Sequence, residues 1–467
     1  MAKARQKGKR RAEGEGPGSI DEGVVEEARR QEARRWSKSD HDGDGWYSRV
    51  TDDELADENY WKKMCPFLSC CSDKTMQFEP SDASAHDETS QHLRTCLIAE
   101  GVARYNPQRV QHKSTLIRNL ANGIRTLHAH GFDASFILMY DEVWELALAI
   151  RDDIEAMMAV SRIKLASHSK TTNAQDGQKL VCNFDILAWH VAPGDPRTSA
   201  FSPHRDRQPD DLTSSFYKDS MPKYLTAWIA LSHASPDSSC LYCVPANIDE
   251  GYHHGDEEDP AILGSSPLDV ILHKKKEAYQ DIRALTCADG EGVLFSHRLI
   301  HWGSRGTSMT SSPRISISFG FSDPSFEHPY FDEEEKLLKT SSSLPLALRL
   351  SLIAGQLITY YQRFDIYSSK LERCRTLFMR NTDAFHEEYR RKVSYEIVMA
   401  CKLMNQVSEG LFQGFDDAGD PAASNLATNR DEDNEDALDV AMQTYEPSFP
   451  LHYSFTNIYM LLQQCCI

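Results

Sequence analysis

The sequence predicts a mainly β core, a barrel or jelly roll, with helices packed before and after it. Five short segments rich in β-branched and aromatic residues follow one another between residues 179 and 323, and turn residues bound each of them. Segments with apolar residues at helical spacing lie on both sides of this region. This order of elements is typical of one all-β core between helical flanks.

Helical periodicity begins after His112. Residues 114–131 carry apolar side chains three or four positions apart and end at a glycine, and residues 140–167 continue the same period with acids early and bases late. The period returns in residues 344–364 and 371–404. We therefore predict an N-terminal helical region, and a C-terminal helical extension over 331–412, on a core domain of residues 100–330.

The strand-like segments of the core are KLVCNFDILAWHVAP, KYLTAWIALSHAS, SCLYCVP, GEGVLFSHRLIHWG and PRISISFGFSD. The last of these alternates strictly. Arg314, Ser316 and Ser318 should therefore share one face of a strand, and the residues between them the other. The third contains the pair Cys240 and Cys243, whose apolar setting favours buried thiols over a zinc site. Twelve cysteines in a chain without a signal peptide likewise indicate reduced thiols.

The two ends of the chain are polar. Residues 1–60 are charged and rich in Gly and Asp, which predicts a disordered N-terminal segment. Its basic cluster Lys3–Arg11 is interpreted as a solvated tail, with a nuclear address as the alternative. An acidic linker over 413–445 and a tail over 446–467 complete the expected domain plan.

A calcium-loop pattern lies within the N-terminal segment. Asp40, Asp42 and Asp44 occupy positions one, three and five of such a loop, and Gly45 occupies the turn position six. Position twelve should be a bidentate Glu but is Thr51. A solvated acidic turn is therefore favoured, with a calcium site as the alternative.

Charge and hydropathy exclude some classes of partner. The formal net charge of −19 argues against general nucleic-acid binding, because a phosphate backbone would be repelled. No apolar run is long enough for a membrane span, and the basic N-terminus has no apolar segment after it. We expect a cytoplasmic protein, or a nuclear one if the basic cluster is read as an address.

His204, Arg205 and Asp206 match the first three residues of a protein-kinase catalytic loop. A kinase also requires a Gly-rich loop upstream, a D-F-G motif downstream and an Asn where this chain has Asp211. None of these is present in the sequence, so neither magnesium ion of a kinase would have its ligands. The kinase interpretation is excluded.

The same residues suit an iron site. His204 and Asp206, two positions apart on a strand, point to the same side and supply two ligands of a 2-His-1-carboxylate site. Similar pairs elsewhere are poorer, because one lies in an acidic loop and one in a helix, where side chains two apart diverge. These pairs are His254 with Asp256 and His386 with Glu388.

The segment from residue 292 to 323 offers the remaining groups. His301 is the candidate distal ligand and His297 its rival. Arg314 leads a strand into the core, where its fork could grip a carboxylate beside the Ser316 hydroxyl, as the distal carboxylate of 2-oxoglutarate requires. Arg305 is interpreted as a charge at the surface or at the substrate entrance.

The order of His204-x-Asp206, LTAWIAL, CLYCVP, HRLIHWGS and PRISIS resembles the phytanoyl-CoA dioxygenase family of iron- and 2-oxoglutarate-dependent oxygenases. The resemblance covers about residues 130–325 and implies a double-stranded β-helix, a cupin-like jelly roll. It implies His204, Asp206 and His301 as catalytic Fe(II) ligands. It further implies a cosubstrate pocket bordered by Arg205 and formed by Arg314, Ser316, Trp228 and Thr226.

The resemblance also implies a reaction. A small-molecule substrate would be hydroxylated at a C–H bond with O₂ and 2-oxoglutarate, releasing succinate and CO₂, and ascorbate would serve as a stimulant. A non-catalytic metal- or ligand-binding barrel and a protein hydroxylase are the alternatives. The family pattern GCLYVVPGSH is replaced by SCLYCVPANIDEGYHH, so the loop over the substrate is rebuilt. No motif selects a substrate or an oligomeric state.

Overall fold

A computed structural model of the chain describes residues 45–71, 83–107, 113–166, 178–194, 202–207, 212–255, 267–332, 344–364, 366 and 368–416. The helices are α1 Trp46–Arg49, α2 Asp52–Ala56, α3 Glu58–Met64, α4 Ala83–Glu100, α5 Lys113–Ala129, α6 Asp141–Ala166, α7 Gly251–His254, α8 Pro267–Lys274, α9 Leu346–Thr359, α10 Ser368–Met379 and α11 Glu387–Asp416. The strands are β1 Val102–Tyr105, β2 Val181–Val191, β3 Tyr224–Ala230, β4 Leu241–Val244, β5 Arg283–Leu285, β6 Gly292–Ser296, β7 Ile300–Gly303 and β8 Arg314–Ser322.

The strands form two antiparallel sheets. The larger has the order β1-β6-β3-β8-β2 and the smaller the order β5-β4-β7. An isolated antiparallel bridge between His204 and His301 adds the segment 202–207 beside β7. The expectation of a β core with helices before and after it is confirmed at this level.

Each predicted strand segment contains a strand, and the fourth contains two. A turn over residues 297–299 separates β6 from β7. Strands β1 and β5 were not predicted from the sequence, because they have only four and three residues and therefore show little alternation.

The region 371–404, predicted as continuously helical, is interrupted. Helix α10 ends at Met379 and α11 begins at Glu387, with a short 3-10 helix, Thr382–Ala384, between them. Asn and Asp residues in this break favour turns over helix. The break lets Phe385 pair with Phe331 and lets the His386 amide donate to the Tyr330 carbonyl at 2.9 Å.

Strand β8 confirms the predicted division of faces. Ile315, Ile317 and Phe319 are fully buried in the main hydrophobic core, which lies between the larger sheet and the helices. Arg314 and Ser316 point to the opposite face, where the candidate site lies. Because both faces are covered, the strand is buried along nearly its whole length.

The prediction of disorder over residues 1–60 is wrong for residues 45–60. They form α1, α2 and the start of α3, and the Trp46 and Leu55 side chains are buried in the main core. The Trp46 indole donates to Asp133 at 3.0 Å. Few apolar residues lie in this stretch, but Trp46 and Leu55 pack into a core formed by residues distant in the sequence. Composition alone does not reveal such packing.

Thr51, which broke the calcium-loop pattern, caps α2. Its hydroxyl accepts from the Glu54 amide at 3.2 Å, and the Glu54 carboxylate accepts from the Thr51 amide at 2.8 Å, forming a capping box. The aspartates Asp40, Asp42 and Asp44 lie outside the described residues, as do 417–467 of the predicted linker and tail.

The C-terminal helices belong to the same core as the sheet. Nearly every residue of α9 is buried, and α9, α10 and α11 contribute to the hydrophobic cluster that also contains α5, α6 and the inner face of β8. Among the helices of the described ranges, none combines the length and the apolarity needed to cross a bilayer.

Candidate active site

His204 and His301 are opposed across a backbone bridge. Each amide donates to the other residue's carbonyl at 3.0 Å, so the two side chains leave the sheet on the same side. Their ring centroids lie 4.4 Å apart. The bridge therefore brings together two histidines that are almost a hundred positions apart in the chain.

Asp206 completes the cluster. Its Oδ1 atom lies 3.5 Å from His204 Nε2 and 3.5 Å from His301 Nε2. One ligand atom from each of the three residues lies within 4.8 Å of the others. Its Oδ2 atom accepts a hydrogen bond from the Thr226 hydroxyl at 2.8 Å, which fixes the carboxylate with Oδ1 toward the imidazoles.

The other ring nitrogens keep the Nε2 atoms available. His204 Nδ1 lies 2.7 Å from the Ser202 carbonyl oxygen, and His301 Nδ1 lies 3.1 Å from the Leu299 carbonyl oxygen. A carbonyl only accepts, so both Nδ1 atoms carry the proton and both Nε2 atoms present a lone pair. This tautomer is the one that a metal-binding histidine requires.

Electrostatics favour the metal-binding protonation states. Burial lowers the pKa of His301 to about 4, which keeps its imidazole neutral. Burial raises the pKa of Asp206, but the adjacent His301 and His204 outweigh that effect and hold the pKa below its ordinary value. Two neutral imidazoles and one carboxylate on one side of an ion are the donor set of a non-haem Fe(II) site, and the residues fit this metal.

Arg314 is a buried cation that donates hydrogen bonds to two serine hydroxyls. Its guanidinium donates to Ser316 Oγ at 2.6 Å and to Ser239 Oγ at 3.4 Å, and it lies over the Trp228 ring at 5.7 Å. No carboxylate of the described ranges lies within ion-pair distance of it. Burial lowers its pKa to about 10, so it stays protonated at neutral pH.

Strand β3 connects the two parts of the site. Thr226 and Trp228 are two positions apart and therefore face the same side, one against Asp206 and the other beneath Arg314. Thr226, predicted to line the cosubstrate pocket, donates its hydroxyl to the Asp206 carboxylate. Trp228, also predicted for that pocket, lies against the Arg314 guanidinium.

Arg205 was expected to border the pocket, and this is wrong. It points away from Asp206, because adjacent residues of an extended segment face opposite sides. Its guanidinium is fully buried, pairs with Asp249 at 2.6 Å and donates to the Arg298 carbonyl at 2.5 Å. Arg205 therefore anchors the segment 202–207 through contacts on the side opposite Asp206.

The remaining candidates lie outside the cluster. His297, the rival ligand, is fully buried, and its Nδ1 lies 3.1 Å from the Tyr224 carbonyl oxygen. Arg305 is exposed, as predicted. His254 ends a short helix and Asp256 is outside the described residues. Cys240 and Cys243 are both buried free thiols, as their apolar setting predicted.

A polar network behind Asp206 was not predicted from the sequence. Arg207 binds Glu327 and Asp185, and Asp185 also accepts a hydrogen bond from Tyr360. The only local signal was a second arginine beside a candidate ligand. The acids lie 22 positions before it and 120 positions after it, and their proximity depends on the fold.

The sequence profile of the family phytanoyl-CoA dioxygenase (PhyH) matches residues 128–315. The chain carries a phytanoyl-CoA dioxygenase domain. The family consists of iron- and 2-oxoglutarate-dependent oxygenases, which confirms the expected oxidoreductase class and the expected cofactors, iron and 2-oxoglutarate with O₂. The matched range includes His204, Asp206, His301 and Arg314 but ends before Glu327 and Tyr360.

Several solved structures show a distant likeness to the chain. The epimerase SnoN from nogalamycin biosynthesis is 17% identical, with 52% of this chain and 82% of that chain covered and a TM-score of 0.34. HygX from Streptomyces hygroscopicus is 15% identical over 49% and 85%, with a TM-score of 0.33. EctD from S. alaskensis is 14% identical over 56% and 84%, also at 0.33. No curated protein matches this chain.

Proposed function

We propose that the chain is an Fe(II)- and 2-oxoglutarate-dependent dioxygenase that hydroxylates a C–H bond of a small molecule and releases succinate and CO₂. The observation that carries the proposal is the His204–Asp206–His301 cluster on the same sheet face as the buried guanidinium of Arg314. Thr226 contacts Asp206 and Trp228 contacts Arg314. These two β3 residues are two positions apart, so the contacts are about 7 Å apart along the strand. This is the length scale of 2-oxoglutarate.

Each residue has a separate role. His204 and His301 would hold the metal through Nε2 and Asp206 through Oδ1, while Thr226 holds the other carboxylate oxygen. Arg314 would bind the distal carboxylate of 2-oxoglutarate, with Ser316 keeping the guanidinium in place. When bound, iron and 2-oxoglutarate supply the oxidation of the substrate C–H bond.

We further propose a double-stranded β-helix for the core. The two antiparallel sheets, the bridge that joins residue 204 to β7, and the position of Arg314 at the start of β8 support this arrangement. An aromatic wall supports an organic small-molecule substrate. Trp189 opposes Ser316 across the β2–β8 ladder, and its half-buried ring stacks on Phe364 at 4.9 Å.

The test compares two histidine variants. Wild-type protein with Fe(II), ascorbate and 2-oxoglutarate should form succinate, measured by mass spectrometry while a metabolite collection is screened for compounds that stimulate it. His301→Ala should abolish succinate formation and Mn(II) binding, because it removes one of three ligands. His297→Ala should retain Mn(II) binding in its folded fraction, because His297 lies outside the cluster.

Other results assign the alternatives. Loss of Mn(II) binding in His297→Ala but not in His301→Ala would make His297 the ligand and reject the proposed site. Metal binding by the wild type without succinate formation would indicate a non-catalytic metal-binding barrel. Stimulation by peptides and not by metabolites would indicate a protein hydroxylase.

A further inference from the structure

Arg207 ties the metal-ligand segment to two other parts of the fold. Its Nε and Nη2 atoms donate to the two Glu327 carboxylate oxygens at 2.5 and 2.9 Å, and Nη2 also donates to Asp185 Oδ2 at 3.0 Å. Its Nη1 atom donates to the carbonyl of Asp206 at 3.0 Å. The Arg207 guanidinium therefore binds the backbone carbonyl of Asp206 and is itself held by the carboxylates of Glu327 and Asp185.

Asp185 reaches this position through an irregularity in β2. The register of β2 against β8 shifts between Cys182 and Ile186, and Phe184 adopts a φ of 67°, which is strained for a residue other than glycine. Across the ladder, a Cβ atom at Gly320 would collide with Asn183 and with the Tyr224 hydroxyl. The positive φ of Phe184 and the absence of a side chain at Gly320 together allow Asp185 to lie within hydrogen-bond distance of Arg207.

Tyr360 contacts the Asp185 oxygen Oδ2, which also accepts from Arg207 and from the Tyr224 hydroxyl. The Tyr360 hydroxyl donates to Asp185 Oδ2 at 2.8 Å from the first position after α9. Helix α9 is itself attached to β2, because the Gln356 amide donates to the carbonyls of Phe184 and Ile186 at 3.1 and 2.8 Å. The C-terminal helical region is thus connected to the metal-ligand segment by an unbroken series of hydrogen bonds.

We propose that Tyr360, acting through Asp185 and Arg207, is a positioning residue for the metal ligand Asp206. The inference rests on the proposed function and extends it, since Tyr360 and Glu327 lie beyond the residues that match the family. The Tyr360 hydroxyl contacts Asp185 and not one of the three proposed metal ligands. This hydroxyl orients the Asp185 carboxylate that binds Arg207. Arg207 in turn binds the Asp206 carbonyl and so orients the Asp206 side chain.

The experiment measures Mn(II) binding to metal-free protein by titration calorimetry. Tyr360→Phe removes only the hydroxyl and should weaken Mn(II) binding about tenfold, as loss of a supporting hydrogen bond typically does. Arg207→Lys keeps the charge but loses the fork and should weaken binding at least as much. Tyr361→Phe is the matched control, because the Tyr361 hydroxyl accepts from Gln362 on the other side of the turn, and its affinity should stay within twofold of wild type.

A second measurement separates positioning from general stability. Thermal unfolding of the metal-free proteins should show similar changes for Tyr360→Phe and Tyr361→Phe, while their Mn(II) affinities differ. Wild-type affinity in both Tyr360→Phe and Arg207→Lys would overturn the inference and leave the proposed function intact, provided Asp206→Ala abolishes binding. Absence of Mn(II) binding by the wild type itself would reject the metal site and this inference together.

Discussion

The buried guanidinium of Arg314 donates hydrogen bonds to two serine hydroxyls, and this arrangement indicates the kind of ligand it would bind. A guanidinium removed from water loses hydration that two hydroxyl contacts only partly replace, and burial lowers its pKa accordingly. A buried charge is ordinarily paired. Among the residues that the structure describes, no carboxylate pairs with Arg314, and one carboxylate of a diacid arriving from solution would supply that pairing.

Arg314→Gln should raise the Kd for 2-oxoglutarate roughly 30-fold or more, since removing one partner of a buried charge pair costs about 2–5 kcal/mol. Mn(II) affinity should not change, because the metal ligands are untouched. Calorimetric titration of 2-oxoglutarate into the Mn(II)-loaded protein measures the first quantity. Arg305→Gln removes an exposed charge and serves as the control. An unchanged Kd in Arg314→Gln would place the carboxylate elsewhere.

Helix α9 illustrates how one element completes another. Strand β2 is at the edge of the larger sheet, and an exposed edge leaves backbone groups without partners. Gln356 covers part of this edge by donating to two β2 carbonyls from within a buried helix face. The helix therefore stabilises the strand irregularity that presents Asp185.

Gln356→Ala should lower the free energy of unfolding by about 2–4 kcal/mol, because it leaves two buried carbonyls without their donor and opens a cavity. Urea titration followed by tryptophan fluorescence measures this change. Gln362→Ala provides the control, since Gln362 is exposed and its amide donates to the hydroxyl of the adjacent Tyr361. Equal stabilities of the two variants would show that α9 is held by apolar packing alone.

At the scale of the whole molecule, several buried groups keep unusual protonation states. Burial lowers the pKa of His297 to about 3 and that of His190 to about 4, so both are neutral in the folded chain. Burial raises the pKa of Glu142 and of Glu396 to about 7. As pH falls, the two histidines destabilise the folded state, because their lowered pKa values leave the unfolded state with more bound protons. The two glutamates stabilise the folded state as pH falls, because their raised pKa values leave the unfolded state with fewer bound protons.

A comparison of variants isolates one of these opposing contributions. The unfolded chain protonates His297 near pH 6.5 and the folded chain near pH 3, so wild type should lose stability relative to His297→Asn as pH falls from 6.5 toward 4. The expected slope approaches about 1.4 kcal/mol per pH unit. Urea titrations of metal-free protein at several pH values measure it. The exposed His233→Asn variant should keep a constant offset from wild type, and a constant offset for His297→Asn would contradict the prediction.

The sequence by itself determined the features that repeat within a few positions. Alternation in β8 separated Arg314 and Ser316 from the buried isoleucines, and the two-residue spacing of His204 and Asp206 put both on one side. Periodicity likewise located the long helices. These features follow from backbone geometry, which fixes where near neighbours point whatever the rest of the chain does.

Tertiary structure alone decided which distant groups meet. Trp46 and Leu55 became core although their surroundings are polar, Arg205 turned away from the site, and Arg207 found Glu327 and Asp185. The presence of His301, and not His297, in the cluster with His204 and Asp206 likewise depends on a backbone bridge to residue 204. Such pairings depend on how separate elements pack and on which buried charges need partners, and no local pattern in one sequence encodes that packing.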